Sequence, residues 1–316
     1  MANLKYSYMS HWSVPTPAGD SFPSARRTYM DRFLKEIEAV GFRGIEVFAK
    51  TLPMLGRLVG GTPVDYEHYI QDLGLERMTG MFMDFLGNDP TERIHDPACH
   101  DYLFEQYRQA CETAKGTGID TLIVMPSNQY IFCDPVTEDQ VHHTADLWNR
   151  IGKMSLEDYG IHLSCHHEFW CGMRDKWAID RFYEWTDPKY VFYFCDTAQH
   201  TIAGLDPVAI YDQLADRTWG FHLKDTNKVD TDAYRTPPDA EFMAKGVNRW
   251  FYEAGTGGLV DFPALYRAME KHNYRGWVSL EHDEADNEGG TYADATAVAA
   301  WYVQNVLDPI MDTEDE

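Results

Sequence analysis

Short runs dense in aliphatic and aromatic residues recur along the chain, and between them lie longer stretches whose apolar residues fall three and four positions apart. The first pattern is that of a strand buried on both faces, the second that of a helix packed along one side. The strand-like runs are Leu4 to Met9, Gly44 to Phe48, Met78 to Phe82, Thr121 to Met125, Ile161 to Cys165, Val191 to Cys195, Trp219 to Leu223 and Trp277 to Leu280. After the first, a Pro/Gly-rich loop over Val14 to Ser24 leads into a helix with Tyr29, Phe33, Ile37 and Val40 on one face, stopped by Gly41. Helices are further expected near Val64 to Leu73, over His100 to Lys115, from a Thr137 cap to Asp158, and over Asp180 to Trp185. Pro207 to Leu214, Phe262 to His272 and Thr291 to Leu307 complete the series.

Strand and helix alternate through the whole chain, and no Pro/Gly/Ser linker or low-complexity segment divides it. That rhythm predicts one α/β domain over residues 1–316, a (β/α)8 TIM barrel. It is broken once, by a long polar insertion after the seventh strand, roughly Thr226 to Gly258. An open doubly wound sheet fits less well, because no GxGxxG follows the first strand and no GxxxxGK[ST] occurs anywhere.

Composition narrows the partners. Hydrophobic residues make up 44% of the chain and charged residues 25%, as in an ordinary globular protein, and no apolar run is long enough to span a membrane. The net charge of -24 opposes nucleic acid and anionic lipid. Six cysteines, with no CxxC pair, suit a reducing compartment, and the N-terminus lacks the features of a signal peptide, so a cytoplasmic protein is expected.

In a TIM barrel, residues at the carboxyl ends of different strands converge on one mouth. Glu168, Asp196, His222 and Glu281 stand at such ends, closing IHLSCHHE, YVFYFCD, TWGFHLKD and GWVSLEHD. Any one of them alone could be a satisfied polar group of the barrel. Together they form a set of three carboxylates and one imidazole that suits a divalent metal, Mn²⁺, Mg²⁺ or Co²⁺, better than a structural zinc. Strand alternation places His166 and Ser164 on the side of Glu168, and His167 and Cys165 toward the helices. His166 is therefore the candidate acid–base, with Glu168, Glu281 and Lys224 as further catalytic candidates.

Lys224 either binds substrate or pairs with Asp225. His200, in the loop after the sixth strand, could reach the mouth or stay solvated, while His142 and His143 fall on a helix as surface or packing residues. Glu46 and Asn128 end the second and fourth strands and are further mouth candidates for substrate. The turn Gly255 to Gly258 could cradle a phosphate or simply precede a helix, and Trp12, Trp170 and Trp250 could wall a sugar site or pack in the core.

On these residues the chain resembles the xylose isomerase-like sugar isomerase and epimerase superfamily of TIM barrels, above all its inosose dehydratase and ketose 3-epimerase branches. The pieces that carry the resemblance are GFRGIEVF, FCDTAQHTIAGLDP, WGFHLKDTN, EAGTGGLVDF and YRGWVSLEHD. It implies Glu168, Asp196, His222 and Glu281 as metal ligands, and His200 and Arg249 as residues that touch substrate. The opening YSYMSHWS, the strand end CHHEFW and the long insertion are most similar to the α subunits of bacterial C-glycoside deglycosidases. That similarity implies a small β-rich β subunit in a hetero-oligomer. The endonuclease branch needs more histidines at the mouth and is disfavoured by the acidic charge.

The chemistry implied is proton abstraction beside a carbonyl. In a 3-oxo-C-glycoside, abstraction at C2 sets the aglycone β to the ketone, so elimination can cleave the C–C bond if the aglycone carbon is protonated, with His166 as base or acid and Lys224 or His200 assisting. This metal-dependent carbon–carbon lyase is the first expectation, and it requires that another enzyme oxidise the sugar beforehand. An inosose dehydratase or ketose 3-epimerase, using Glu168 and Glu281 for proton handling, is the alternative. A non-catalytic barrel that binds sugar or a partner is the third.

Overall fold

A computed structural model describes residues 4–10, 23–133, 136–231, 251–283 and 291–311. Its strands are β1 (Lys5–Met9), β2 (Gly44–Phe48), β3 (Arg77–Met83), β4 (Thr121–Val124), β5 (His162–His166), β6 (Val191–Asp196), β7 (Thr218–Leu223) and β8 (Trp277–Leu280). All eight pair in parallel and in sequence order, and β8 closes on β1. The fold is the expected closed (β/α)8 barrel, with expected and observed strand ends differing by at most one residue.

The helices follow local signals. Glu138–Tyr159 starts at a capping box between Thr137 and Gln140 and ends at Gly160, whose φ of 72° lies in the left-handed region that glycine adopts without cost. In the first helix, Pro23–Ala39, the buried stripe is Met30, Phe33, Leu34 and Ile37, whereas Tyr29 is 40% exposed. The expected face was thus rotated by one position, because the barrel wall selects the stripe with most aliphatic area. Two short helices, Leu52–Leu58 and Thr197–Ile202, fill what read as loops. Among the described residues no helix is long and apolar enough to cross a membrane. The expected insertion over 226–258 falls largely outside the described residues, as do Arg249, Trp12 and Trp250.

The core has an outer and an inner part. Between barrel and helices lies one large apolar cluster, in which Trp148, Tyr107, Phe182, Tyr193 and Tyr211 are fully buried. Inside the barrel, Met9, Phe82, Ile123 and Phe194 form a separate plug. Phe194 backs the mouth, its ring centroid 4.6 Å from that of His222. Gly220, the neighbour of Phe194 on β7, makes room for it, since a Cβ there would lie 2.4 Å from the ring. Gly220→Ala is therefore expected to cost about 1–3 kcal/mol through overpacking, read as a lowered midpoint in urea with an unchanged slope.

Candidate active site at the carboxyl ends of the strands

β5 ends in the sequence that sets the site. Its alternation sends His167 outward, where Nδ1 lies 3.0 Å from the Met173 carbonyl and Nε2 lies 3.2 Å from the Tyr183 hydroxyl. His166 points inward, its Nε2 2.9 Å from Asp196 Oδ2 and its Nδ1 3.3 Å from Glu168 Oε1. The inward and outward sorting expected from strand parity is the one observed. Glu168 is anchored on its other oxygen by the Gln199 side-chain amide, which donates over 2.6 Å.

Asp196 ends β6 and caps the helix Thr197–Ile202, with Oδ1 accepting from the Gln199 N–H at 2.7 Å. That bond fixes the carboxylate so that Oδ2 faces the barrel axis. His222 on β7 turns Nδ1 to Glu281 Oε2 at 2.9 Å and toward Asp196 Oδ2 at 3.9 Å. Lys224, 1% exposed, extends Nζ to within 3.1 Å of Asp196, 2.7 Å of Glu281 and 2.7 Å of Asp283, over the face of Phe251 at 4.5 Å. It does not pair with Asp225, whose carboxylate instead accepts from the backbone of Gly258 and Val260. The same carboxylate fills the turn Gly255 to Gly258, where a phosphate would meet negative charge.

The charges hold one another. Burial opposes the charged form of His166, but hydrogen bonds to Asp196 and Glu168 overcome it and raise its pKa to about 9. His222 is likewise opposed by burial and raised to about 10, through Glu281 and Glu46. Burial also works against the Lys224 ammonium, yet Asp196, Asp283 and Glu281 keep its pKa well above the ordinary lysine value. Glu168 is pushed up by burial, with His166 pulling the other way.

His166, Asp196, His222 and Glu281, all buried, each present a ligand atom within 4.8 Å of the others. Two imidazoles and two carboxylates at that spacing fit a divalent cation. Glu168 stands one contact away, on the opposite nitrogen of His166.

The other expected residues go elsewhere. Glu46 is buried beneath the site, with Oε2 2.7 Å from His222 Nε2. Asn128 is fully buried and spends its amide on backbone, accepting from Ile94 N–H at 2.7 Å and donating to Phe85 O at 2.7 Å and Glu92 O at 2.9 Å. It ties the segment after β3 to β4. His200 is 1% exposed on the helix side of β6, its Nε2 2.6 Å from the Tyr193 hydroxyl. His142 lies exposed on its helix, as expected. Residues the sequence did not single out are Asp283, Gln199 and Phe194. Only Asp283 carried a signal, being two positions beyond Glu281 on the same alternation.

Burial lowers the His200 pKa to about 4. A histidine depressed in the fold charges first in the unfolded chain, so its contribution is intact above about pH 6.5 and is lost as pH falls toward 4. Urea unfolding at pH 7 and pH 5 is expected to show about 2 kcal/mol of acid destabilisation from this group, absent in His200→Gln. An equal pH dependence in that variant would reject the assignment.

A family model described as Xylose isomerase-like TIM barrel matches residues 34–301. An inosose dehydratase of Bacillus velezensis is 26% identical over 294 residues, covering 89% of this chain and 90% of that protein. Among solved structures, the probable 3-DHS dehydratase AsbF of Bacillus anthracis superposes with a TM-score of 0.70 at 15% identity, over 96% of this chain and 100% of that one. The IOLI protein, described with a binding zinc atom, superposes with a TM-score of 0.71 at 14% identity, over 98% and 100% of the two chains. The match over most of the chain, carried on a closed parallel barrel whose polar residues gather at the strand ends, makes this chain a member of the xylose isomerase-like TIM-barrel family.

Proposed function

We propose that the protein is a divalent-metal-dependent enzyme that abstracts a proton beside the carbonyl of a keto-sugar or keto-cyclitol and then eliminates a β-hydroxyl, as in inosose dehydration. The observation that carries this reading is the buried cluster of His166, Asp196, His222 and Glu281 at the barrel mouth, with Lys224 and Glu168 against it. The similarity to inosose dehydratases over most of both chains supports the same substrate class. A divalent cation there, manganese or magnesium with cobalt as a further choice, would polarise the carbonyl and acidify the adjacent C–H.

The protein's own groups do the rest. Lys224, held by three carboxylates, keeps a fixed positive charge beside the oxygen on which negative charge develops. His166 and Glu168, 3.3 Å apart, form a pair in which one member completes the donor set and the other moves the substrate proton. The departing hydroxyl leaves as water, taking the proton that the acid–base member of the His166–Glu168 pair had removed from carbon. Arg249 and His200 were expected to touch substrate; of these, only His200 lies among the described residues, and its hydrogen bond to Tyr193 gives it a supporting role behind the wall.

Cleavage of the C–C bond of 3-oxo-C-glycosides is the second reading, and a specific feature favours it. Phe251, under Lys224 Nζ at 4.5 Å, packs with Phe169, Ala198 and Ile202 in a buried apolar cluster, so the Lys224 side of the site has an apolar backing of the kind an aromatic aglycone needs. This reading brings with it a small β-rich partner chain in a hetero-oligomer. Six free, buried cysteines support action in a reducing compartment, the cytoplasm.

The test is an assay of manganese-loaded protein on an inosose, a free ketohexose and a 3-oxo-C-glycosyl flavonoid, with and without chelator. Dehydration of the inosose is expected; aglycone release from the third substrate would promote the second reading, and no turnover of any would reject both. Metal titration of His166→Gln and Glu168→Gln divides the pair: the variant that loses metal is the ligand, and the one that keeps metal without turnover is the acid–base. Two fully active variants would sink the assignment.

A further inference from the structure

Glu46 lies outside the cluster, yet its carboxylate is fixed at both oxygens. Oε2 is 2.7 Å from His222 Nε2, and Oε1 accepts from the Ser279 hydroxyl, which in turn meets that of Ser7. The chain thus runs across the barrel interior from β1 through β8 to β2 and on to β7. The backbone is shaped for it. A register shift between Ile45 and Glu46 sets Glu46 opposite Gly80, whose missing side chain leaves space beside the carboxylate. On β1 and β8 the residues at this level are Ser7 and Ser279, small enough for the glutamate to pass over them.

We propose that Glu46 is the positioning residue for His222, holding the proton on Nε2 so that Nδ1 is the nitrogen that would give up its proton to a cation in the space shared by Asp196 and Glu281. This rests on reading the cluster as a cation site. A carboxylate can only accept, so the nitrogen facing it must bear hydrogen. Without a cation Nδ1 also faces a carboxylate, Glu281 Oε2 at 2.9 Å. A cation held between Asp196 and Glu281 would displace the Nδ1 proton, whereas the Nε2 proton stays directed at Glu46, and the Phe194 ring packs 4.6 Å from the imidazole. Outer carboxylates of this kind are worth about 10–100-fold in metal affinity. Glu46, expected at the mouth as a substrate contact, has instead a partner 176 positions away.

Glu46 also forms the inner end of a cavity of about 230 Å³ at the amino-terminal end of the barrel, lined by Thr79, Thr121, Trp219 and Trp277 among others. Truncation at position 46 would join the vacated space to it, so a small carboxylate could enter from below.

The experiment measures Mn²⁺ affinity by electron paramagnetic resonance for the wild-type protein, Glu46→Gln, Glu46→Ala and Ser279→Ala, each checked for folding by circular dichroism. Weakening of about 10–100-fold is expected in Glu46→Gln and Glu46→Ala, with partial recovery of Glu46→Ala in formate. Ser279→Ala, which removes one of the two anchors, is expected to lose less. Nitrogen NMR of His222 in the wild-type zinc complex should show Nε2 protonated, a readout needing no variant. Unchanged affinity in the folded Glu46 variants, or a proton on Nδ1 in the zinc complex, would overturn the proposal. A wild-type protein that binds no Mn²⁺ would overturn the metal reading itself.

Discussion

Asp196→Asn is expected to lower kcat of the manganese-loaded protein by at least about 10³-fold while leaving the barrel folded. The substitution separates two duties of one side chain. Oδ1 caps the helix Thr197–Ile202 through Gln199, and an amide oxygen can keep that bond. Oδ2 faces His166 Nε2 at 2.9 Å and Lys224 at 3.1 Å. There an amide loses the charge and cannot satisfy two donors and a cation together. Chelation of the wild-type protein should cost activity on the same scale, restored by adding metal back. A variant within tenfold of wild type, or activity indifferent to chelator, would reject the metal-dependent mechanism.

The second large effect is expected at Lys224. Lys224→Met preserves length and apolar contact with Phe251 but leaves Asp196, Glu281 and Asp283 without their shared ammonium. Breaking a buried ion pair from one side costs about 3–5 kcal/mol, because the remaining charges stay desolvated. Chemical denaturation in chelator should show that loss, and denaturation in saturating Mn²⁺ should show a smaller one, since a divalent cation compensates the same carboxylates. Turnover should fall by about 10²-fold or more even with metal bound. Equal stability losses with and without Mn²⁺ would mean that Lys224 and the cation act on separate groups.

Much of the site could be read before the fold. Glu168, Asp196, His222 and Glu281 each close an apolar run, so once the runs are strands of one barrel their ends must meet. Parity along β5 sufficed to turn His166 inward and His167 outward, because side chains alternate without exception on a regular strand. His200 escaped this logic. It follows β6 in a short helix, where a rotation of about 100° per residue, not alternation, decides direction, and it ended behind the wall against Tyr193. Asn128 was legible as a strand-end polar residue but not as a backbone anchor, since its partners come from the segment after β3.

Sequence by itself determined the barrel, its strand order and the four residues that close its buried runs, because each depends on hydrophobic period and on the rule that parallel strands share one mouth. Only the tertiary structure decided which groups touch. The pairing of Glu46 with His222 joins strands that are three apart around the barrel, and the clasp of Lys224 on Asp283 depends on how far two side chains lean over the rim. Those distances follow from strand tilt, from the shift at Ile45 and Glu46, and from the gaps left by Gly80 and Gly220. They are properties of closure, and no local stretch of sequence contains them.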